Sequence, residues 1–199
     1  MPTWIGFLRA VNVGKRQVKM QTLRELLADN GFDDVETHIQ SGNLKVRSAT
    51  RSAATVEKEL RSLISDAFGF DVPVVVRTPA QLRRLADEAE ALESPIAPDA
   101  GRYVTFMTGD LDAEGVEALH AWDVETEAAR VVGNDIVLFL AAGVQGSKLT
   151  NARIEKLTGA VGTARNITVV RARWVSATPL GGERAARARN RRRHRPRRR

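Results

Sequence analysis

Polar side chains able to do chemistry gather at three places along this chain of 199 residues. Arg9, Asn12, Gly14 and Lys15 follow the apolar run WIGFL. Gln40, Ser41, Gly42 and Asn43 stand between two short strand-like segments. Gly146, Ser147, Lys148 and Asn151 belong to GVQGSKLTNARIEK, residues 143–156, which enters a helical pattern. Glycine lets backbone approach a ligand, and free N–H groups at a helix start favour an anion. Lys148 adds a mobile charge. Each place also has a structural explanation. Ser147 or Thr150 can cap a helix, and Ser-Gly-Asn is ordinary turn chemistry. Arg9 in an apolar strand needs a partner if buried, which an internal ion pair supplies as well as a ligand does.

Stronger signatures are missing. In Gly146-Ser147-Lys148 the order and spacing differ from the phosphate loop G-x-x-x-x-G-K-[ST]. There is no G-x-S-x-G, H-E-x-x-H or G-x-G-x-x-G motif. His38 and His120 have no carboxylate at metal-ligand spacing, so no metal site is expected, and no cofactor can be named. Asp33, Asp34 and Glu36 read as a solvated acidic cluster. Without an identifiable acid–base pair no reaction is assigned. Cysteine is absent, which excludes disulfides and thiolate catalysis. No apolar run approaches the roughly 18 residues of a membrane span, and MPTWIGFLRAVNV does not read as a signal peptide. A cytoplasmic protein is the default expectation.

The elements that must position these residues follow from periodicity. Residues 4–11 read as a buried strand, and Met20, Leu23, Leu26 and Leu27 recur at helical spacing. Val35–Gln40 and Leu44–Arg47 form a hairpin around Ser41-Gly42-Asn43. Val56, Leu60, Leu63, Ile64, Ala67 and Phe68 mark an amphipathic helix, and Val72–Arg77 a strand. The order β-α-β-β-α-β is that of a ferredoxin-like domain, an antiparallel sheet with its helices on one face. Thr78-Pro79-Ala80-Gln81 opens a connecting helix. The second half repeats the order: a strand at 103–107, a helix capped by Asp110 or Asp112, a hairpin around Gly133-Asn134-Asp135, and a helix from about Leu149 to Leu157. Residues 166–175 fit a strand by β-branched content and also fit a short helix. Phe7, Tyr103, Phe106 and Phe139 are expected in cores rather than as a base-stacking platform for RNA. The expected layout is α+β: two alpha-beta plaits at 1–78 and 102–180, a connecting helix and linker at 79–101, and a disordered tail at 181–199.

Charge divides unevenly. Of 31 basic residues, ten are arginines in ERAARARNRRRHRPRRR, residues 183–199, beside a single acid. The rest of the chain is left mildly acidic, with 21 basic against 23 acidic residues. Such a run self-repels and offers no apolar face to bury.

The chain resembles the bacterial family catalogued as domain of unknown function 1697. The resemblance is carried by FLRAVNVGKRQVKMQTLRELLADNGFDDVETHIQSGNLKV (Phe7–Val46), GSKLTNARIEKLTG (Gly146–Gly159) and TARN (Thr163–Asn166), and spans about residues 1–177. It implies two alpha-beta plaits. It also implies that Arg9, Asn12, Gly14, Gln40, Ser41, Gly42, Asn43, Ser147, Lys148, Asn151, Arg165 and Asn166 share one surface. Ile167 stands where the family pattern usually has Trp, and Ala172 and Arg173 also depart from it; a helix is favoured for this last element.

Three functional readings follow. The leading one is a composite loop site for a small anionic or phosphorylated ligand, bound by Arg9, Lys15, Lys148 and Arg165. The second is association with nucleic acid through the Arg-rich tail. The third is a protein-interaction module, including self-association through exposed sheet edges. The tail reading has a direct test: binding to DNA or RNA is expected to fall steeply with salt and to vanish on truncation after Gly182. Equal binding by the truncated chain excludes it.

Overall fold

The computed structural model describes residues 1–38, 42–122 and 124–175. Gln40, Ser41, residues 176–180 of the second expected plait and the tail at 181–199 lie outside the described residues. The first half runs β1 (Thr3–Leu8), α1 (Met20–Asp29), β2 (Asp33–His38), β3 (Asn43–Arg47), α2 (Ala53–Phe68) and β4 (Val74–Arg77). After α3 (Pro79–Ala91) the order repeats as β5 (Gly101–Met107), α4 (Ala113–His120), β6 (Glu127–Val132), β7 (Asp135–Leu140), α5 (Asn151–Thr158) and β8 (Gly162–Asn166). A short helix, α6 (Ile167–Val170), passes into a wide π turn, Arg171–Val175. Both sheets are four-stranded and antiparallel, in the orders β2-β3-β1-β4 and β6-β7-β5-β8. Among the described residues no helix is long and apolar enough to cross a membrane.

Local chemistry sets the helix ends. Ser52 accepts from Thr55 N–H to start α2, and Gly69 ends it in the left-handed region. Thr78 and Gln81 form a capping box around Pro79 at the start of α3. Of the alternatives legible in the sequence, Asp112 caps α4 and Thr150 caps α5.

Alternation along the strands explains their near-continuous apolar character. In β1, Trp4 and Leu8 face α1 and α2, in a core with Leu44, Val46, Leu60 and Ile64. Ile5 and Phe7 face the other way and meet Val104, Phe106, Val137 and Phe139 of the second sheet. Met107, Ile136, Leu138 and Leu140 form a third core with Leu119, Leu149 and Ile154. The two sheets therefore pack against one another, each with its own helices outside, so most strands are covered on both faces. The Phe7 and Phe106 rings stack at the centre, centroids 3.9 Å apart and 7° from parallel. Helix α3 is more than a connector, because Leu82, Leu85 and Ala89 close the side of this inter-sheet core.

Two expectations need adjustment. The last strand lies at Gly162–Asn166, a segment assigned to no element from sequence, while 166–175, open between strand and the favoured short helix, holds the helix and the π turn. GTARN has little apolar content because Arg165 turns inward. The acidic cluster is partly paired across the β2–β3 hairpin, Asp34 with Arg47 and Glu36 with Lys45. Strand β2 is an outer strand carrying these charges and a register shift between Asp33 and Glu36, features that work against addition of another strand there.

Arg77 and Asp135 join the sheets in a buried pair, N–O 2.6 Å, with side chains 12% and 7% exposed. Nearby Glu57 accepts from Val76 N–H, and burial pushes its carboxyl above the ordinary range. Asp135→Ala would strand a guanidinium between the sheets, and a loss of about 3–5 kcal/mol in denaturant unfolding is expected. Glu88→Gln, whose partner Arg84 lies on the open surface of α3, is expected to leave the midpoint unchanged.

Candidate functional site

Among the described residues three arginines cross between the halves. Arg77 ends β4; its Nε and Nη2 donate to Asp135 at 3.0 and 2.6 Å, and Nη2 also to the Met107 carbonyl at 2.7 Å. Arg165 of β8 reaches the opposite way. Its Nη2 donates to the Leu8 carbonyl at 2.9 Å and its Nε to Asn43 Oδ1 at 2.6 Å. Its Nη1 donates to Thr163 Oγ1 and the Ala164 carbonyl, each at 2.8 Å. Arg9, just past β1, pairs with Glu155 of α5 at 2.7 Å and donates to the Gly162 carbonyl at 3.2 Å.

The first two crossings occupy equivalent places. Leu8, Phe7 and Ile5 pair with Val74, Val75 and Arg77. Met107, Phe106 and Val104 pair with Gly162, Thr163 and Arg165. Leu8 thus corresponds to Met107, Phe7 to Phe106 and Arg77 to Arg165. Asn43 lies opposite Phe7, and the pairing of Thr105 with Ile136 brings Asp135 opposite Phe106. Each arginine holds the end of the other half's first strand and the start of its third. The difference is chemical: Asp135 supplies a carboxylate where Asn43 supplies an amide.

A cleft of about 470 Å³ opens beside the second crossing. Arg9, Asn12 and the intervening backbone form one wall; Asn151, Thr163 and Arg165 form the other. Burial pushes the Arg165 guanidinium down to about 10. The loop after β1 is strained, with Ala10 at φ 53° and Asn12 at φ 56°. Asn12 holds it shut, accepting from Val18 N–H at 2.8 Å and donating to the Val18 carbonyl at 3.2 Å. Asn151 is the first residue of α5, so the positive end of that helix adjoins the cleft.

The residues named from sequence are therefore divided. Arg9, Asn12, Asn151 and Arg165 line this cleft, and buried Asn43 stands behind Arg165. Gly14 and Lys15 are exposed in the neighbouring loop and do not line it. Gly42 sits under the loop, its carbonyl accepting from Leu8 N–H at 2.7 Å. Gly146, Ser147 and Lys148 form a separate turn. The N–H groups of Lys148 and Leu149, expected to await an anion, bind the Glu127 carboxylate at 2.6 and 3.1 Å. Asn166 lines another cavity, and its Oδ1 accepts from Thr168 N–H. Sequence reading missed Arg77, Asp135, Glu155 and Thr163. A charge closing the apolar run VVVR was a usable signal for Arg77; Asp135 read as turn chemistry because it follows Gly-Asn.

Fold and site together define a two-sheet α+β protein with a polar cleft between its halves. The chain belongs to the family described as Protein of unknown function (DUF1697), which matches residues 1–137. That range includes Arg9, Asn12, Gly14, Lys15 and residues 40–43, and ends before the Gly146–Gly159 segment. The chain is similar in structure to the conserved bacterial protein SP0830 from Streptococcus pneumoniae. The two superpose with a TM-score of 0.65 at 21% identity, over 86% of this chain and 96% of that one. This likeness speaks for the fold alone. No curated protein matches the chain.

Gly42 ties the cleft loop to the hairpin. It has φ 75°, and a Cβ there would stand 2.4 Å from Val11 Cγ2 and 2.9 Å from Leu8 Cβ. Gly42→Ala is expected to cost about 1–3 kcal/mol in denaturant unfolding and to raise amide exchange in residues 8–13.

Proposed function

We propose that the chain binds a small anion, of phosphate or carboxylate type, in the cleft between its halves. We read each half as a ferredoxin-like alpha-beta plait, 1–78 and 102–180, joined by 79–101. One observation carries the binding proposal: Asn43 occupies the position where Asp135 neutralises the matching arginine. Among the described residues the largely buried Arg165 guanidinium donates to oxygens of Asn43, Thr163, Ala164 and Leu8, and its burial disfavours the charged form. An anion in the adjoining cleft would meet the Arg165 guanidinium where Arg77 meets the Asp135 carboxylate in the other half. Arg9 adds a second guanidinium, already held by Glu155 through Nε and Nη2 at 2.7 and 2.8 Å. The Asn151 amide and the start of α5 supply donors suited to a phosphate or carboxylate oxygen. The strained backbone at Ala10 and Asn12 supports the same reading, since strain of this kind gathers where loops are shaped for ligands.

Thermal unfolding with inorganic phosphate at constant ionic strength tests the proposal. The wild type is expected to melt higher as phosphate rises, by about 2.7 kcal/mol at a hundred times Kd. Asn43→Asp is expected to be more stable than wild type without phosphate and to lose the response. An unmoved wild type, or an Asn43→Asp variant with the full response, would overturn it.

A further inference from the structure

The inter-sheet core has an end that neither crossing covers. Arg102 lies there on the inner face of β5, two residues before Val104. The corresponding position in the first sheet is Thr3, so this arginine is no part of the shared framework. Its guanidinium lies 5.5 Å from the Phe139 ring centroid, and Nη2 donates to the Leu92 carbonyl at 3.0 Å. Among the described residues no carboxylate pairs with it, and its buried Nε has no hydrogen-bond partner. A half-buried cation held by one carbonyl and one ring is incompletely compensated.

Arg102 lines a cavity of about 490 Å³ between α3, β5 and α6. Small residues, Ala86 and Ala100, make part of its wall, and Asn166 and Thr168 add polar groups. Arg171 also lines it, but is occupied by Asp87 and Glu90 at 3.0 and 2.6 Å. Glu90 and Asp99 place carboxylates on the same wall, which disfavours a multiply charged ligand.

We infer that this cavity is a second ligand site, separate from the cleft at Arg165, for a small singly charged carboxylate held by Arg102. The carboxylate lies against the guanidinium, and the donors of Asn166 and Thr168 take the polar remainder. A modest rotation of Arg102 onto the ligand would also give Nε an acceptor.

Acetate and glycolate, titrated at constant ionic strength against a chloride control, are the probes. Wild-type melting is expected to rise with either probe, and Arg102→Met, introduced into the Asn43→Asp chain so that the other cleft does not contribute, to flatten that response at least fivefold. Asn43→Asp, which alters the other cleft, is expected to retain it. In the full wild-type chain the Arg102 Nε–H NMR resonance is expected to move along the same titration, a readout independent of any variant's folding. No rise above chloride, an equal rise in Arg102→Met, or a static Nε–H resonance would each overturn the inference.

Discussion

Stacking of Phe7 on Phe106 sets the geometry on which the rest of the molecule depends. The two rings come from corresponding positions of the two sheets, and their contact at 3.9 Å brings the inner faces together. Ile5, Val75, Val104, Val137 and Phe139 extend the apolar contact around them. Burial of such faces is non-directional and would tolerate sliding on its own. Direction comes from the arginines at the margin, whose planar donors must meet specific carbonyls and side chains. Arg77 and Arg165 each bind the end of the opposite half's first strand, so aromatic stacking and polar crossings reinforce one register.

On the proposed binding reading, equivalence between the halves lets the scaffold acquire a site without a new element. Both crossings use the same strand positions and the same backbone carbonyl. Changing one acceptor from carboxylate to amide alters the local charge and, among the described residues, replaces a two-bond grip on the guanidinium with one, while the Nη2 bond to the strand-end carbonyl is kept. The cleft beside Asn43 then gains from the loop after β1 what its counterpart lacks: Arg9 and a strained turn at Ala10 and Asn12. On that reading function depends on the difference between the two copies, and stability on their likeness.

Much of the fold was legible from the chain. Periodicity located the elements because Val56, Leu60 and Ile64 lie on one helical face, and because Thr78-Pro79-Ala80-Gln81 is a specific helix start. The repeated order was legible for the same reason. The packing of sheet on sheet was not, since a strand buried on both faces looks alike whatever covers the second one. The site was legible only in part. Arg9 stood out as a charge in an apolar run, yet whether it met Glu155 or a ligand depends on residues 146 positions apart. Lys148 looked like an anion binder because nothing local reveals that Glu127 already fills its turn. Arg102 gave no signal, since a single arginine near a loop is common.

The shared inner face also constrains how the polypeptide is made. As the ribosome releases the first half, Ile5, Phe7 and Val75 have no counterpart to cover them. Their cover arrives with residues 104–139, and the side wall is finished only with Val170 and Trp174. At about 5–20 residues per second of synthesis, an adhesive sheet surface stands open for roughly 5–20 seconds. Early engagement by α3, whose Leu82, Leu85 and Ala89 are translated directly after β4, gives the nascent protein a temporary shield while the rest emerges.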